Sequence, residues 1–224
     1  MSQHGGPWCL KAMTPAAVRE RLSARPALLV PVGSTEQHGP HLPLGVDTII
    51  IERLADDLSA QLGLVRAPTI EYGVHPASRI RPGGATLRRK TLHRVMNELI
   101  ESWEEGAGVR EFLILTAQAH DAHQEALSTI RTSLATITAV DVFAVDFGDL
   151  VSPEEAKQPG GLLETSLLLH LRPELVGDED HSGPDRADSG PAGSTPKGRR
   201  SSAELGQRLY ALILERIGRY LTQR

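Results

Sequence analysis

Two uninterrupted apolar stretches constrain the fold of this chain more than any other feature. Residues 27–32 have the sequence ALLVPV, and residues 111–116 have the sequence EFLILT, in which four apolar residues stand between Glu111 and Thr116. Runs of this length are typical of strands that are buried on both faces of a parallel sheet. Because parallel strands need long crossover connections, such a sheet is normally covered by helices on both sides.

The segments around these strands fit that expectation. Thr14 and Pro15 have the residue types of a helix N-cap and first turn, and they predict a short helix that ends at about Ala24. Further helices are predicted at residues 47–62, 91–105, 124–138, 161–171 and 203–221, and further strands at residues 64–70 and 140–147. This alternation predicts an α/β fold with three α/β/α layers and a mostly parallel central sheet.

One long segment cannot contribute to a core. Residues 177–202 contain no large apolar side chain and are rich in glycine, proline, serine and charged residues. We expect them to form a polar surface loop that is mobile or ordered only by a neighbour. Because no internal repeat is present, we expect residues 1–224 to form a single domain.

Composition excludes several classes of protein. The 224 residues are 40% hydrophobic, which rules out disorder throughout. A net charge of −4 offers no basic field for nucleic acid. No segment resembles a signal peptide or a membrane span. The single cysteine, Cys9, is expected in a loose N-terminus and can form neither an internal disulfide nor a thiolate zinc site. We therefore expect a cytoplasmic enzyme or binding protein.

Polar side chains follow the predicted strands at the point where ligands bind in parallel α/β sheets. Glu36, His38 and Asp47 lie in the segment directly after the first apolar strand. The segment after residues 111–116 contributes His120, Asp121 and His123. We expect these carboxylates and imidazoles to meet at one edge of the sheet.

Two interpretations fit the first of these segments. In an extended loop, Glu36 and His38 point the same way, and Asp47 can return a carboxylate from the start of the next helix. Oxygen and imidazole ligands without thiolate suit Zn²⁺, Mn²⁺ or Fe²⁺. Alternatively, Asp47 caps the helix and the histidines bond to the backbone. Spacing alone does not decide between a metal site and a structural loop.

The segment PVGSTEQHGPHLPLGVDT resembles the signature of the creatininase (creatinine amidohydrolase) family, in which Gly-Ser-x-Glu-x-His-Gly-x-His-Leu-Pro precedes an aspartate. Three further segments, RPGGATL, LTAQAHDAHQEAL and GGLLETSLLLHLRPELV, are similar to family segments in the same order. Together the matches span about residues 27–176. The resemblance implies a creatininase-like fold, a metal-dependent amidohydrolase and assembly into a homo-oligomer, which is a hexamer in family members.

The resemblance also implies a set of metal ligands. Glu36, Asp47 and His120 would hold one divalent ion. His38 would hold a second ion, with Asp47 as the shared bridge. One or two ions of zinc, manganese or iron are therefore expected.

Two departures from the family pattern affect the second ion. A glutamate that serves this ion in creatininase is replaced by Ala122. His123 stands where the family has asparagine, and it is one candidate to replace the missing ligand. Glu164, in the Glu-Thr-Ser segment, either completes a metal site or orients a ligand, or it is a buried helix carboxylate bonded to its neighbours.

A third departure affects proton transfer. The family histidine expected to move protons corresponds to Pro159, which cannot do so. His75, His123 and Asp121 are the candidates to take over this catalytic role, and His75 lies in the loop that touches substrate in relatives. The tryptophans that shape the creatinine pocket are absent from residues 149–160, so creatinine is not the expected substrate.

The sequence thus predicts a metal-dependent hydrolase that cleaves a small or cyclic amide with a metal-activated water. Related family chemistries are the first alternative: peptide trimming, deformylation of a pyrimidine intermediate, or ring opening of a keto-inositol. A catalytically impaired metal-binding or ligand-binding homologue is the second, and Pro159 and Ala122 favour it. The expected partners are a small-molecule substrate and further copies of the chain.

Overall fold

The computed structural model describes residues 6–76, 82–158, 160–177 and 200–223. Five strands are present in these ranges: β1 Trp8–Cys9, β2 Ala27–Val32, β3 Val65–Arg66, β4 Glu111–Thr116 and β5 Thr136–Asp141. The α-helices of the same ranges are α1 Pro15–Ala24, α2 Val46–Leu62, α3 Arg89–Ala107, α4 Asp121–Ser128, α5 Pro153–Ala156, α6 Leu162–Leu171 and α7 Ala203–Thr222.

The strands form a single parallel sheet in the order β1-β3-β2-β4-β5. The two central strands pair over their full length, with Leu28 opposite Phe112 and Val30 opposite Ile114. Every residue of β2 is buried, as expected for a strand covered on both faces. The predicted parallel α/β architecture is therefore confirmed.

The chain divides into two compact units. The first comprises residues 1–34, 47–75 and 86–142 and contains the sheet with helices α1, α3 and α4. The second comprises residues 35–46, 76–85 and 143–224 and contains α5, α6 and α7. The single domain that the sequence predicts stays a prediction.

The core of the first unit follows from the alternation of side chains along the strands. One set of inward side chains from β2 and β4 packs with the apolar stripe of α3. Its members are Leu28, Val30, Phe112, Ile114, Leu92, Met96 and Ile100. Leu29 and Leu113, which point to the opposite face of the sheet, are buried as well. Both faces of the sheet are therefore covered.

The second unit is built around α6, whose first seven residues are buried. Helix α7 packs on it so closely that a Cβ atom on Gly206 would lie 1.8 Å from the carbonyl oxygen of Ser166. The N-terminus of α7 is capped by the Ser202 side chain, which accepts a hydrogen bond from Leu205 N–H. Glycine at position 206 is therefore a packing requirement.

The sequence prediction was wrong between residues 124 and 147. The expected helix at 124–138 begins earlier, at Asp121, and ends at Ser128. The expected strand at 140–147 is instead Thr136–Asp141, because this segment is the one that pairs with Glu111–Thr116. β-Branched residues at 136–138 favour that extended conformation over a helix.

Two other expectations need correction. The N-terminal segment is not loose from residue 8 onward, because β1 pairs with β3 and Cys9 is buried. The predicted strand at 64–70 is reduced to Val65–Arg66, with an isolated bridge between Ile70 and Val32. Residues 178–199 of the predicted polar loop lie outside the described residues. No helix in the described ranges has the length and apolarity that crossing a membrane requires.

Candidate metal centre

Three of the predicted ligands converge. Glu36, His38 and Asp47 each offer one ligand atom, and these atoms lie within 4.8 Å of one another. All three residues are buried. In a tetrahedral zinc site the ligand atoms lie about 3.3–3.6 Å apart, so these side chains are close enough to reach a shared divalent cation if they move somewhat closer together.

The start of α2 fixes the position of Asp47. A Cβ atom on Gly33 would lie 2.4 Å from Thr48 Oγ1 and 2.7 Å from Thr48 Cα, so only glycine fits between the end of β2 and this helix. Thr48 Oγ1 donates a hydrogen bond to the carbonyl oxygen of Ser34 at 2.9 Å. The Ser34 hydroxyl in turn donates to Asp47 Oδ2 at 2.8 Å. The strand-to-helix turn therefore holds the Asp47 carboxylate in one orientation.

His38 is held in the tautomer that binds metals. Its Nδ1 atom lies 3.2 Å from the carbonyl oxygen of Glu36. A carbonyl oxygen can only accept, so the proton of the neutral ring is on Nδ1 and the lone pair is on Nε2. This arrangement is the usual way in which a protein orients a histidine ligand.

Glu164 lies beside this lone pair. Its Oε1 atom is 3.8 Å from His38 Nε2, too far for a hydrogen bond. Its Oε2 atom accepts a hydrogen bond from Gly160 N–H at 2.5 Å. Gly160 has a φ of +64°, and a Cβ atom there would lie 1.9 Å from the carbonyl oxygen of His38. The backbone at Gly160 thus connects the loop of His38 with the carboxylate on α6.

Gln118 was not identified from the sequence, yet it links two predicted ligands. Its Nε2 atom donates a hydrogen bond to Asp47 Oδ2 at 3.0 Å, and its Oε1 atom accepts one from His120 N–H at 2.9 Å. The side chain is buried. Its position directly after a buried strand and two residues before His120 was the only local indication of this role.

His120 is the N-cap residue of α4 and is not one of the three converging residues. Its Nδ1 atom is buried and has no hydrogen-bond partner among the described residues. A buried nitrogen without a partner is costly, and a bound cation would satisfy it.

His123 is committed to two hydrogen bonds within the protein. Its Nδ1 atom accepts a hydrogen bond from Val74 N–H at 3.1 Å, so the proton of the neutral ring is on Nε2, which lies 3.0 Å from Thr116 Oγ1. Burial lowers the pKa of His123 to about 4; the nearby Asp47 carboxylate opposes this shift, and His120 adds to it. His123 is therefore neutral at neutral pH.

The remaining predicted residues occupy different surroundings. His75 is buried, and its backbone N–H donates to Thr86 Oγ1 at 3.0 Å. Asp121 is exposed at the first position of α4. His41, which is not among the predicted site residues, has its Nε2 atom 2.9 Å from Thr165 Oγ1 on α6. Pro159 lies outside the described residues.

The matches to curated relatives are partial. A mycofactocin precursor peptide peptidase of Mycolicibacterium smegmatis is 33% identical over 165 residues, which are 70% of this chain and 63% of that protein. A 3-dehydro-scyllo-inosose hydrolase of Thermotoga maritima is 32% identical over 113 residues, which are 50% of this chain and 36% of that protein. The matched segments thus span less than two thirds of these relatives.

The match to solved structures extends over nearly the whole chain. A mutant creatininase described as of the Zn–Zn type superposes with a TM-score of 0.78 at 21% identity, covering 98% of each chain. This likeness establishes the fold. The family model for creatininase (creatinine amidohydrolase) matches residues 11–221. With nearly all of its length matched by that model, the chain belongs to the creatininase family.

Proposed function

We propose that this protein is a metal-dependent hydrolase that cleaves the carbon–nitrogen bond of a small amide. The convergence of Glu36, His38 and Asp47 in a buried position is the observation that carries the proposal. Membership of a family named for an amidohydrolase supports the choice of bond.

Five side chains would supply the ligands in this proposal. Glu36, Asp47 and His120 would hold the first ion. His38 would hold the second, with Asp47 as a ligand of both. Glu164 completes the second site, because its Oε1 atom faces the Nε2 lone pair of His38 at 3.8 Å, a separation that an ion between the two atoms would shorten only slightly. His123 does not join either set, because both its ring nitrogens are used by the protein.

A divalent ion in this centre would lower the pKa of a bound water toward about 7 and polarise the carbonyl of the substrate. The chain's own residues would attract the ions and orient the ligands. Glu36 and Asp47 supply the negative charge that attracts the ions, and their burial keeps bulk water from screening that charge. The Nδ1–H donor of His38 keeps its lone pair directed at the site.

Proton transfer to the leaving nitrogen needs a separate group. His123 is neutral and bonded on both sides, and protonating it would break its bond to Val74 N–H. Asp121 is exposed at the start of α4. We therefore assign this step to His75, which is buried in the segment that follows the Ile70 bridge.

Cleavage of a short peptide is the second candidate function. The peptide peptidase relative matches 70% of this chain, against 50% for the inosose hydrolase, and this difference favours an amide over a cyclitol ring. Zinc is the first metal to test, since a related fold is described with a zinc pair, and manganese and iron follow.

The experiment begins with protein purified without chelator or affinity metal. Metal content by mass spectrometry is measured together with hydrolysis of lactams, formamides, short peptides and cyclitols. Asp47→Asn is expected to lose metal and activity. Asp57→Asn is the matched control, because it removes a carboxylate of the same helix that pairs with Arg53.

Two outcomes would count against the proposal. Asp47→Asn protein that kept both its metal and its activity would exclude Asp47 as a ligand. Full metal occupancy without turnover of any carbonyl substrate would support a binding protein instead. The chain is further proposed to act in the cytoplasm as a homo-oligomer, with six copies expected. Light scattering on the eluted protein tests the number of copies.

A further inference from the structure

We propose that Gln118 is a positioning residue that couples Asp47 to His120, so that the two residues bind a metal ion as a unit. The inference rests on the proposed function, because it treats both residues as ligands. It concerns a side chain that contacts no ion itself, and it explains how two segments far apart in the chain act on one ion.

The two ends of the Gln118 amide have different tasks. The Nε2 end donates to Asp47 Oδ2 at 3.0 Å and so supports the carboxylate in its charged form. The Oε1 end accepts from His120 N–H at 2.9 Å and so fixes the peptide from which the imidazole projects. The amide offers a donor and an acceptor on one rigid plane, and it does not titrate.

The backbone of Gln118 is held equally firmly. Its N–H donates to Thr116 Oγ1 at 3.1 Å, and its carbonyl oxygen accepts from Gln124 Nε2 at 2.5 Å. Thr116 Oγ1 is also the partner of His123 Nε2 at 3.0 Å. The buried His123 therefore supports Gln118 through Thr116, and its role becomes structural.

These contacts give Gln118 little freedom to adjust. If it moves, the Asp47 carboxylate loses the donor that Gln118 supplies, while the Ser34 hydroxyl still donates to it. His120 N–H loses its acceptor in the same movement. One side chain thus controls both ligands, and its removal is expected to weaken metal binding more than removal of a group that supports only one.

Cobalt is the probe for the test, because its visible spectrum reports ligand geometry. Full-length protein is stripped with a chelator and titrated with Co²⁺. Gln118→Leu is expected to weaken Co²⁺ binding by about 10- to 100-fold, the usual effect of losing a group that orients a ligand, and to shift the absorption bands. Far-UV circular dichroism checks that the fold is retained.

Three variants make the result specific. Gln124→Ala removes a hydrogen bond to the Gln118 backbone and leaves the Gln118 amide in place, and it is expected to leave affinity and spectrum close to the wild type. Ser34→Ala removes one donor to Asp47 and a contact of 3.5 Å with Gln118 Nε2. Because it leaves the Gln118 amide in place, it is expected to have a smaller effect than Gln118→Leu. Gln118→Asn keeps the amide on a shorter side chain and is expected to recover part of the lost Co²⁺ affinity. It replaces Gln118→Leu as the test variant if the leucine protein does not fold.

The outcomes separate the inference from the proposed function. If the wild type binds no Co²⁺, both are wrong. If the wild type binds Co²⁺ and Gln118→Leu, or Gln118→Asn in its place, has the same affinity and spectrum, the inference is wrong and the proposed function stands. An effect of Gln124→Ala as large as that of Gln118→Leu would show general loosening of the segment and would also overturn the inference.

Discussion

Protonation of His123 should make this protein unstable in mild acid. In the folded state burial lowers the pKa of His123 from 6.5 to about 4. In the unfolded chain the same ring is solvated, and its pKa is near 6.5. Below pH 6.5 the unfolded chain therefore binds a proton that the folded protein does not bind, and the free energy of unfolding falls. The contribution is fully present above pH 6.5 and lost as the pH falls toward 4.

The magnitude follows from the same two values. Each pKa unit is worth about 1.4 kcal/mol, so the interval between 6.5 and about 4 corresponds to about 3 kcal/mol in total. About 2 kcal/mol of this is lost by pH 5, where most of the unfolded chains carry the proton and few folded molecules do. The free energy of unfolding of a folded domain is typically about 5–15 kcal/mol, so this loss is a large share of the total.

His123→Asn is the variant that isolates this effect. Asparagine does not titrate, and its Oδ1 atom can take the place of Nδ1 as acceptor for Val74 N–H. Urea unfolding of metal-free wild type and variant is compared at pH 7.5, 6 and 5. We expect the variant to be less stable at pH 7.5 because of its smaller side chain, with the gap narrowing by about 2 kcal/mol at pH 5. Two curves that stay parallel across this range would refute the neutral, buried state of His123.

Other predictions concern glycines and the metal. Gly206→Ala should destabilise the protein by about 1–3 kcal/mol in thermal unfolding, because its Cβ would lie 1.8 Å from a backbone oxygen. Gly106→Ala, in a helix with open space around the position, should be neutral or stabilising. Gly160→Ala should lower the Co²⁺ stoichiometry by displacing the loop of His38, whereas Gly148→Ala, with a similar φ but open surroundings, should keep it. Zn²⁺ at 100 times its dissociation constant should stabilise the folded protein by about 2.7 kcal/mol, and a chelator should reverse the rise in melting temperature.

The sequence predicted those parts of the fold whose signals are local. Strands β2 and β4 begin and end at the expected residues because each is built on a short run of apolar residues. Helix α1 begins at Pro15 because Thr14 caps it with its own side chain. The prediction for residues 124–147 was wrong because the extended conformation in this segment depends on pairing with β4. No local sequence pattern contains that contact.

The same distinction applies to the candidate site. Glu36 and His38 are two residues apart and Asp47 lies in the first turn of α2, so their convergence follows from a single strand-to-helix connection. Gln118 contacts Asp47 across 71 positions of sequence, and His123 meets Val74 across 49. Their roles depend on how separate segments pack, and spacing within one segment cannot show it.

The backbone partner of each ring decides what a histidine in this protein can do. His38 Nδ1 faces a carbonyl oxygen, which places the proton there and leaves Nε2 able to bind a cation. His123 Nδ1 faces an N–H group, which places the proton on Nε2 and leaves no lone pair for an ion. Both residues are buried histidines in polar segments, and either was a reasonable ligand from the sequence. Because a carbonyl and an N–H group impose opposite tautomers, the first histidine can hold a metal while the second supports the segment that positions His120.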